Sequence, residues 1–350
     1  MIRSAVIGTG AISAEHLSFL ERYERAEVVA TCDLSEASAG YAAARFRSAG
    51  PFTDYREMLD KVAPDVVHVL TPPQTHVQIG MDCLAAGAHV ISEKPIALCV
   101  ADFERLWANA RSVDRFVVED QNYRFNRPVV QLRQLMDTGI LGEVQDVELR
   151  LNLDIRNDGA LADPNYPSSV HRLPAGAVHD FLPHMTYLLL HLAPMTQFDR
   201  VIAAWRNHGG GTLFRYDDLD AVLLSDSVHA RLRFTAYEYP GSFRVTVRGT
   251  RGFVETDLLQ PYLRVEVPRG PGRKLAPIVN HFVNGAAFVR AGASLLRDRV
   301  LQRSVYEGLH HFLSLTYQAL ADGHEPPIGF ADMRSSIRLI DALLDEENRV

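Results

Sequence analysis

The sequence is poor in cysteine and has no long, continuous apolar run. Its 350 residues include three cysteines, an odd number without metal-ligand spacing, which we interpret as small buried side chains in a reducing compartment. No continuous apolar run reaches the ~18 residues of a membrane span, and too few residues precede the first predicted strand for a signal peptide. We therefore expect a cytoplasmic protein with no membrane partner.

The sequence also lacks an excess of basic residues. Lys and Arg number 36 against 43 Asp and Glu, which gives a formal net charge of −7 and a pI near 6.1. A short basic cluster at 269–274 lies among Pro and Gly and indicates a turn. The charge balance predicts no nucleic-acid partner.

Length and composition indicate a two-domain globular protein. Hydrophobic residues make up 47% and charged residues 23%, and 350 residues exceed what one ordinary core holds. Strand and helix patterns alternate over the first 120 residues, and the period of the apolar residues changes after about residue 140. We predict one domain over 1–122 and a second over 123–350.

The first domain alternates continuous apolar strands with helices, which is typical of a parallel sheet buried on both faces. The helices are predicted at His16–Arg22, Ser35–Arg47 and Thr75–Ala86. The predicted strands are Ser4–Ile7, Val28–Cys32, Asp65–Leu70, Ala88–Ile91 and Phe116–Val118.

In the second domain apolar and polar residues alternate along each strand, which predicts an open, mostly antiparallel sheet with one buried face. The domain is therefore predicted to be α+β. Strands are expected around 147–153, 231–234, 243–248 and 263–267, and helices around 180–192, 280–302, 304–322 and 331–346.

A glycine-rich loop, GTGAIS, joins the first strand to the first helix. In the pattern G-x-G-x-x-G/A, Gly8 allows a tight turn and Gly10 lets the backbone approach a pyrophosphate at the helix N-terminus. Ser13 takes the third, small position. We predict a dinucleotide-binding loop formed by Gly8, Thr9, Gly10, Ala11 and Ile12.

Asp33 ends the second strand, 23 residues after Gly10. A carboxylate at this position accepts hydrogen bonds from the adenosine ribose and repels a 2′-phosphate, and no Arg follows immediately. This favours NAD, with NADP less favoured. The same position is also compatible with a cap for the helix starting near Ser35.

Thr71 and Pro72 follow the DVVHVL strand and place a rigid loop at the carboxyl edge of the sheet, where ligands of such sheets bind. His76, in the first turn of the next helix, either contacts the cofactor or is a surface residue.

Five motifs in order, GTGAIS, TPPQTH, SEKP, QNYRFN and a later D-x-x-x-H, resemble the Gfo/Idh/MocA family of nicotinamide-dependent oxidoreductases. These enzymes act mostly on sugars, polyols and their derivatives. The resemblance covers nearly the whole chain. It implies an α/β Rossmann domain followed by an α+β domain for substrate binding and oligomerisation. The charged, alternating outer face of the sheet in the second domain favours self-association, so we expect a homo-oligomer (dimer or tetramer).

Lys94 of the SEKP motif is a candidate catalytic and substrate-binding residue. A lysine at the end of a central strand can donate to a substrate oxygen and stabilise alkoxide character as hydride leaves. Glu93 is expected to hold the cofactor or orient Lys94, and Pro95 to fix the turn. We predict a cis Lys94–Pro95 bond; the alternative is a solvated turn.

By resemblance, Asp180 and His184 meet the lysine across the domain cleft. His184 becomes the general acid/base, and Asp180 orients its ring or contacts the substrate. Both would share one face if they lie on one helix. Pro183 differs from the family pattern and, tolerated in a first turn, sets the helix start no earlier than about His179.

Four residues that could be metal ligands cluster in the sequence: His171, His179, Asp180 and His184. The i, i+4 pair supplies two ligands, where zinc needs three or four, so no metal is predicted. His191, one position further along the helix, is interpreted as a core histidine.

The QNYRFN segment lies at the domain junction. By resemblance Gln121 lies near the nicotinamide and Arg124 near the substrate, whereas Tyr123 and Phe125 are expected to pack. The apolar stretch 281–301 fits no motif. We favour a helix that packs on the open sheet; the alternatives are a lid, a subunit contact and a membrane-surface helix.

The predicted function is NAD-dependent hydride transfer between the cofactor and a secondary alcohol or ketone of a sugar-like substrate. One alternative is a reductase of keto-sugars or sugar nucleotides. Another, of a different class, is a non-catalytic regulator or scaffold that senses NAD(H).

Overall fold

The computed structural model describes residues 1–48, 50–156, 160–163, 165, 168–194, 198–209, 213–269, 274–301 and 304–345. Their contacts divide the chain into two units. The first contains Met1–Asn122 and Tyr306–Arg338, and the second contains Tyr123–Val305 and the chain from Leu339 onward. The sequence prediction placed all of 123–350 in one domain. The structure instead returns 306–338 to the first unit, because the helix at Glu307–Asp322 packs on the helix at Ser13–Arg22.

The first unit contains a six-stranded sheet in the order β3-β2-β1-β4-β5-β6, and every pair is parallel. Its strands are apolar and buried, which confirms the predicted parallel sheet. Strand β3 was not predicted, since two residues carry no periodic signal. The strands are β1 (Ile2–Ile7), β2 (Ala26–Cys32), β3 (Pro51–Phe52), β4 (Val66–Val69), β5 (His89–Ser92) and β6 (Val117–Glu119).

Five helices connect these strands: α1 (Ser13–Arg22), α2 (Glu36–Phe46), α3 (Tyr55–Val62), α4 (His76–Ala85) and α5 (Val100–Ser112). Capping side chains fix two of their starts. Ser35 accepts a hydrogen bond from the backbone of Ser38 at α2, and Asp54 accepts one from Arg56 at α3. The sequence analysis did not predict α3, although Asp54 was a usable signal for its start.

The second unit contains a seven-stranded sheet in the order β13-β12-β11-β7-β10-β9-β8. All neighbours are antiparallel except β7 and β10, so the predicted open, mostly antiparallel sheet is confirmed. The strands are β7 (Val144–Asn152), β8 (Arg200–Arg206), β9 (Asp218–Leu224), β10 (His229–Thr235), β11 (Ser242–Gly249), β12 (Gly252–Asp257) and β13 (Tyr262–Glu266).

Three helices accompany this sheet: α6 (Arg127–Asp137), α7 (Leu182–Leu192) and α8 (Ala276–Val300). Helix α7 packs on the apolar face of β7, within a core that includes Leu149, Leu188 and Phe234. The chain then continues through α9 (Glu307–Asp322) and α10 (Phe330–Leu344), and the division between the units falls inside α10. None of the helices in the described part of the chain combines the length and apolarity that crossing a bilayer requires.

Candidate functional site

In the first unit three neighbouring strands end at one edge of the sheet in residues that the sequence singled out. β1 leads into Gly8, β4 into Thr71 and β5 into Glu93 and Lys94. Since the strands are parallel and adjacent, their carboxyl ends lie side by side. This is the edge where open α/β sheets bind ligands.

The glycine loop has one position closed to side chains and one open to a ligand. Gly8 has a φ of +93°, and a Cβ there would lie 2.7 Å from the carbonyl carbon of Leu70. At Gly10, which is exposed, no atom lies within 4 Å of a Cβ position. Ser13 Oγ donates to the Gly10 carbonyl at 2.7 Å, so the third position contributes a polar contact as well as small size. The loop therefore fits a pyrophosphate approaching the N-terminus of α1.

Asp33 fixes the glycine loop from the neighbouring strand. Its Oδ2 accepts hydrogen bonds from the backbone N of Thr9 at 2.8 Å and from Thr9 Oγ1 at 3.0 Å. Its Oδ1 accepts from the backbone N of Ser35 at 2.9 Å. Because Ser35 itself occupies the N-cap of α2, the interpretation of Asp33 as that cap is wrong. The carboxylate is only partly buried and can accept further hydrogen bonds.

His76 is buried, so its interpretation as a surface residue is wrong. Its Nε2 lies 2.6 Å from the carbonyl oxygen of Thr71, and its Nδ1 lies 2.8 Å from that of Pro95. Burial lowers the pKa of His76, while the two carbonyl oxygens and Glu93 oppose that shift. The side chain thus joins the loop after β4 to the turn after β5.

The turn after β5 is fixed by contacts on both sides of Lys94. The backbone N of Glu93 donates to the Val69 carbonyl at 2.9 Å, and that of Ile96 donates to Glu119 Oε1 at 2.9 Å. The Lys94–Pro95 bond is cis, as predicted. Pro95 and Ile96 are buried, so a solvated turn is excluded.

Glu119, at the end of β6, is a supporting residue that the sequence analysis missed. Its second oxygen accepts from Gln121 Nε2 at 2.8 Å, and the Gln121 side chain is fully buried. Burial raises the pKa of Glu119, which its bonds to Gln121 and Ile96 counteract. One carboxyl group therefore positions both the lysine turn and Gln121.

A buried chain of polar groups leads from the sheet interior to Glu93. His16 Nε2 lies 3.6 Å from Glu93 Oε1, and His16 Nδ1 lies 2.8 Å from His68 Nδ1. His68 Nε2 lies 2.8 Å from the Tyr317 hydroxyl, which donates to Ser4 Oγ at 2.7 Å. Burial, together with His16, holds the pKa of His68 well below its usual value, so His68 is neutral. In the sequence, these linked polar groups are indicated by His68, a histidine inside the apolar DVVHVL strand.

His16, Glu93 and Asp120 form a compact polar cluster. One ligand atom from each lies within 4.8 Å of the others, which is close enough to share a proton or a cation. Burial and the neighbouring Glu93 carboxylate raise the pKa of Asp120 well above its usual value. The four residues that cluster in the sequence, His171, His179, Asp180 and His184, do not form such a group within the ranges the structure describes.

In the second unit, His184 and Asp180 do not share one α-helix. Asp180 ends a 3₁₀ segment at Gly176–Asp180, and α7 begins at Leu182, with Pro183 in its first turn as expected. The predicted start no earlier than about His179 is confirmed. The assumption of one continuous helix is wrong, because the 3₁₀ segment precedes it. His191, expected in the core, is only partly buried.

His184 is oriented by two tyrosines. Its Nδ1 lies 2.8 Å from the Tyr187 hydroxyl, which also accepts a hydrogen bond from the backbone N of Tyr123 at 3.2 Å. The Tyr123 ring meets the His184 ring edge-on, with centroids 4.9 Å apart. Tyr123 packs against the core as expected, and Arg124 follows it in a 3₁₀ segment at Asn122–Phe125. The sequence analysis missed Tyr187, whose spacing of three from His184 was an available signal.

Comparison with known proteins agrees with this geometry. Residues 2–120 match the Gfo/Idh/MocA profile, described as an oxidoreductase family with an NAD-binding Rossmann fold. D-glucoside 3-dehydrogenase of Escherichia coli (strain K12) is 33% identical over 144 residues, which cover 41% of each chain. Inositol 2-dehydrogenase of Salmonella paratyphi B is 28% identical over 145 residues, covering 41% of this chain and 43% of that one. The chain thus aligns with less than half the length of these relatives.

A solved structure shares the fold over the whole chain. The probable dehydrogenase from Thermotoga maritima has a TM-score of 0.77 at 18% identity and covers 99% of this chain and 97% of its own. The matched profile coincides with the sheet that carries the glycine loop and the lysine turn. Residues 2–120 thus match the NAD-binding Rossmann domain of the Gfo/Idh/MocA family of oxidoreductases.

Proposed function

We propose that the protein is an NAD-dependent dehydrogenase of a sugar, a polyol or a derivative of one. The observation that carries this proposal is the alignment of three strand ends at one sheet edge, which presents Gly8, Thr71 and Lys94 together. The names of the two curated relatives, a glucoside and an inositol dehydrogenase, support a polyhydroxylated substrate.

The reaction assigns separate roles to three side chains. When bound, NAD would supply the acceptor for the hydride that leaves the substrate carbon. Lys94 donates a hydrogen bond to the substrate oxygen and stabilises its developing negative charge. His184 takes the hydroxyl proton at Nε2 in the oxidative direction, while Nδ1–H donates to the Tyr187 hydroxyl. Asp180 orients the His184 ring or contacts the substrate. An alcohol thereby becomes a ketone, with one hydride and one proton removed.

We further propose how the other residues contribute. Asp33 binds the adenosine ribose and selects NAD over NADP, because its carboxylate repels a 2′-phosphate. Arg124 binds the substrate. The remaining cofactor-binding residues lie in the glycine loop and at the ends of β4, β5 and β6: Gly8, Thr9, Gly10, Ala11, Ile12, Thr71, Pro72, His76, Glu93 and Gln121.

The test follows absorbance at 340 nm with NAD or NADP against a panel of inositols, hexoses, pentoses and sugar acids. We expect turnover with NAD on one stereochemical class, and its loss in Lys94→Met with NADH binding retained. Lys61→Met is the matched control, since Lys61 is exposed on α3 and pairs with Glu57. Full turnover in Lys94→Met would exclude the assigned role of the lysine. NADH binding without turnover on alcohols, keto-sugars or sugar nucleotides would favour a regulator.

We also propose that the protein works in the cytoplasm as a homo-oligomer. All three cysteines are free, which suits a reducing compartment. Burial and the charge of Asp33 raise the pKa of Cys32 to about 12, so its thiol is unreactive near neutral pH. Cell fractionation and light scattering after size exclusion test these two points, and a monomer at micromolar concentration would contradict the second.

A further inference from the structure

Helix α8 turns its polar face toward the protein. Asn280 Nδ2 donates to the Val267 carbonyl at 2.9 Å. Asn284 accepts from the backbone N of Val265 at 3.0 Å and donates to its carbonyl at 3.2 Å. These amides bond the outer edge of β13, the last strand of the sheet, and the edge is thereby covered. The opposite face of α8 consequently points to solvent.

That outer face carries a stripe of apolar and small residues, here called the apolar stripe: Ile278, Phe282, Gly285, Val289, Gly292 and Leu296. Phe282, Val289 and Leu296 are 78%, 75% and 67% exposed. With roughly 200 Å² for a full side chain, the stripe and its exposed neighbours present on the order of 800 Å² of apolar surface, as much as one partner buries in a standard interface. A surface this large and apolar indicates a docking face.

The spacing of the stripe identifies a helix as the occupant. Phe282, Val289 and Leu296 repeat every seven residues, and so do Ile278, Gly285 and Gly292. This is the a/d repeat of paired helices, with the inward Asn residues at the positions that a coiled coil exposes. Glycine is a poor helix former, and a Cβ at Gly285 or Gly292 would have no atom within 4 Å beyond its chain neighbours and the backbone of its own helix. Two such holes suit the close approach of another helix.

The order of large and small residues favours a second, antiparallel copy of α8. In that pairing Phe282 faces the Gly292 position, Gly285 faces Val289, and Ile278 faces Leu296, so each large side chain meets a hole or an aliphatic partner. A parallel pair would place glycine against glycine and leave voids.

The charges of α8 favour the same orientation. The charged residues of α8, Arg290, Arg297, Asp298 and Arg299, all lie in its C-terminal half and carry a net charge of +2, whereas 275–289 contains no Asp, Glu, Lys or Arg. A parallel pair would align like charges, and an antiparallel pair places them beside an uncharged half. We propose that α8 is a dimerisation helix that pairs antiparallel with α8 of a second copy of this chain. The inference deepens the proposed self-association and is independent of hydride transfer.

Light scattering and sedimentation velocity of the full chain test the interface. We expect Val289→Glu to raise the dimer dissociation constant about 100-fold or more, because a carboxylate would be buried unpaired. Arg290→Glu, which places the same residue one position along on an exposed site outside the stripe, should change it far less. An unchanged mass for Val289→Glu would overturn the proposal even if the protein is oligomeric.

Gly285→Leu separates helix pairing from other occupants. The added side chain has open space in the single chain, so the fold should be retained. It fills the hole needed by Val289 of the second copy and should weaken the dimer at least tenfold. Stronger self-association, or a monomeric native protein that binds lipid vesicles more tightly after this change, would overturn the proposal in favour of non-specific or membrane contact.

Cysteine cross-linking tests the orientation. A mixture of the single variants Gly285→Cys and Val289→Cys should form a disulfide dimer faster than either variant alone, because 285 faces 289 in the antiparallel register. The unchanged protein controls for its native thiols. Faster cross-linking in Val289→Cys alone would indicate a parallel pair and contradict the proposed register.

Discussion

Lys94 in the first unit and His184 in the second are held in different ways. The turn around Lys94 is fixed through the main chain: Glu93 bonds β4 through its backbone N, and Ile96 bonds Glu119. His184 lies in the first turn of α7 and is oriented through its side chain, by the Tyr187 hydroxyl and the Tyr123 ring.

Because of this difference, changes around Lys94 should mainly affect stability, whereas changes around His184 should mainly affect the reaction. The backbone contacts around the lysine turn belong to a buried parallel sheet, so changing them should reduce the free energy of unfolding before it reduces turnover. The contacts of the histidine are few and lie between side chains. Changing them should alter the reaction while the second unit stays folded.

Of the changes to the side-chain contacts around His184, His184→Ala should reduce kcat the most. If His184 is the general base, kcat should fall about 10³-fold, with NADH affinity and thermal stability retained. Steady-state kinetics at 340 nm measures the loss, and added imidazole should restore part of it. His229→Ala is the control, because His229 is an exposed histidine on β10 of the same unit. A loss below tenfold, or one that imidazole cannot restore, would assign the proton to another group.

Gly8→Ala changes the backbone at the edge of the parallel sheet and should reduce the free energy of unfolding. The new Cβ would lie 2.7 Å from the Leu70 backbone at a φ of +93°, so the free energy of unfolding should fall by about 3 kcal/mol. Gly10→Ala is the matched control, with open space at its Cβ position. It should retain stability and lose NADH affinity instead. Urea denaturation and NADH fluorescence titration distinguish the two, and equal stability losses would show that the loop is merely a tight turn.

The two halves also differed in how far the sequence could predict them. Strand ends in a parallel sheet meet at one edge by topology, so Gly8, Asp33 and Lys94 were located from local pattern alone. The residues that hold the lysine turn in place could not be located in this way, because their contacts join segments that are distant in the sequence. His68 and Tyr317 are 249 residues apart, and no periodicity reveals that α9 returns to the first unit.

In the second unit the failure was local instead. A spacing of four suggested one helix for Asp180 and His184, yet the segment before Pro183 forms a 3₁₀ turn. Proline lacks the N–H that a continuous helix would need at that point. The residue types of the candidate pair were therefore readable from the sequence, but their relative orientation was not.

Asp120→Asn tests whether the raised pKa of Asp120, beside the lysine turn, makes the stability of the protein depend on pH. A carboxyl group whose pKa is raised on folding binds its proton more tightly in the folded state, so stability falls as pH rises above the ordinary value of 3.8. The cost is about 1.4 kcal/mol for each unit of pKa shift. Asp120→Asn removes it, so the variant should be more stable than the unchanged protein near pH 7, and this advantage should disappear toward pH 4.

Urea denaturation at several pH values measures this difference, with Asp60→Asn, an exposed site on α3, as control. A stability difference that does not vary with pH would mean that Asp120 contributes through its hydrogen bonds alone.

Tyr187→Phe should have the smallest effect of these changes on kcat and almost none on the free energy of unfolding. It removes one hydroxyl that bonds His184 Nδ1 and leaves the buried ring in place, so the free energy of unfolding should change by no more than about 1 kcal/mol. Without the hydroxyl the protonated ring loses a partner, so the acid limb of the kcat–pH profile in the oxidative direction should move to lower pH. The maximal kcat should fall about fivefold, since the tautomer is no longer selected.

Tyr262→Phe removes a hydroxyl bonded to Glu255 in the same unit and should leave that profile unchanged. A pH profile in Tyr187→Phe that matches the unchanged protein would mean that the tyrosine only packs. In that case His184 would be held by the helix backbone, as Lys94 is held by its turn, and the contrast between the two halves would disappear.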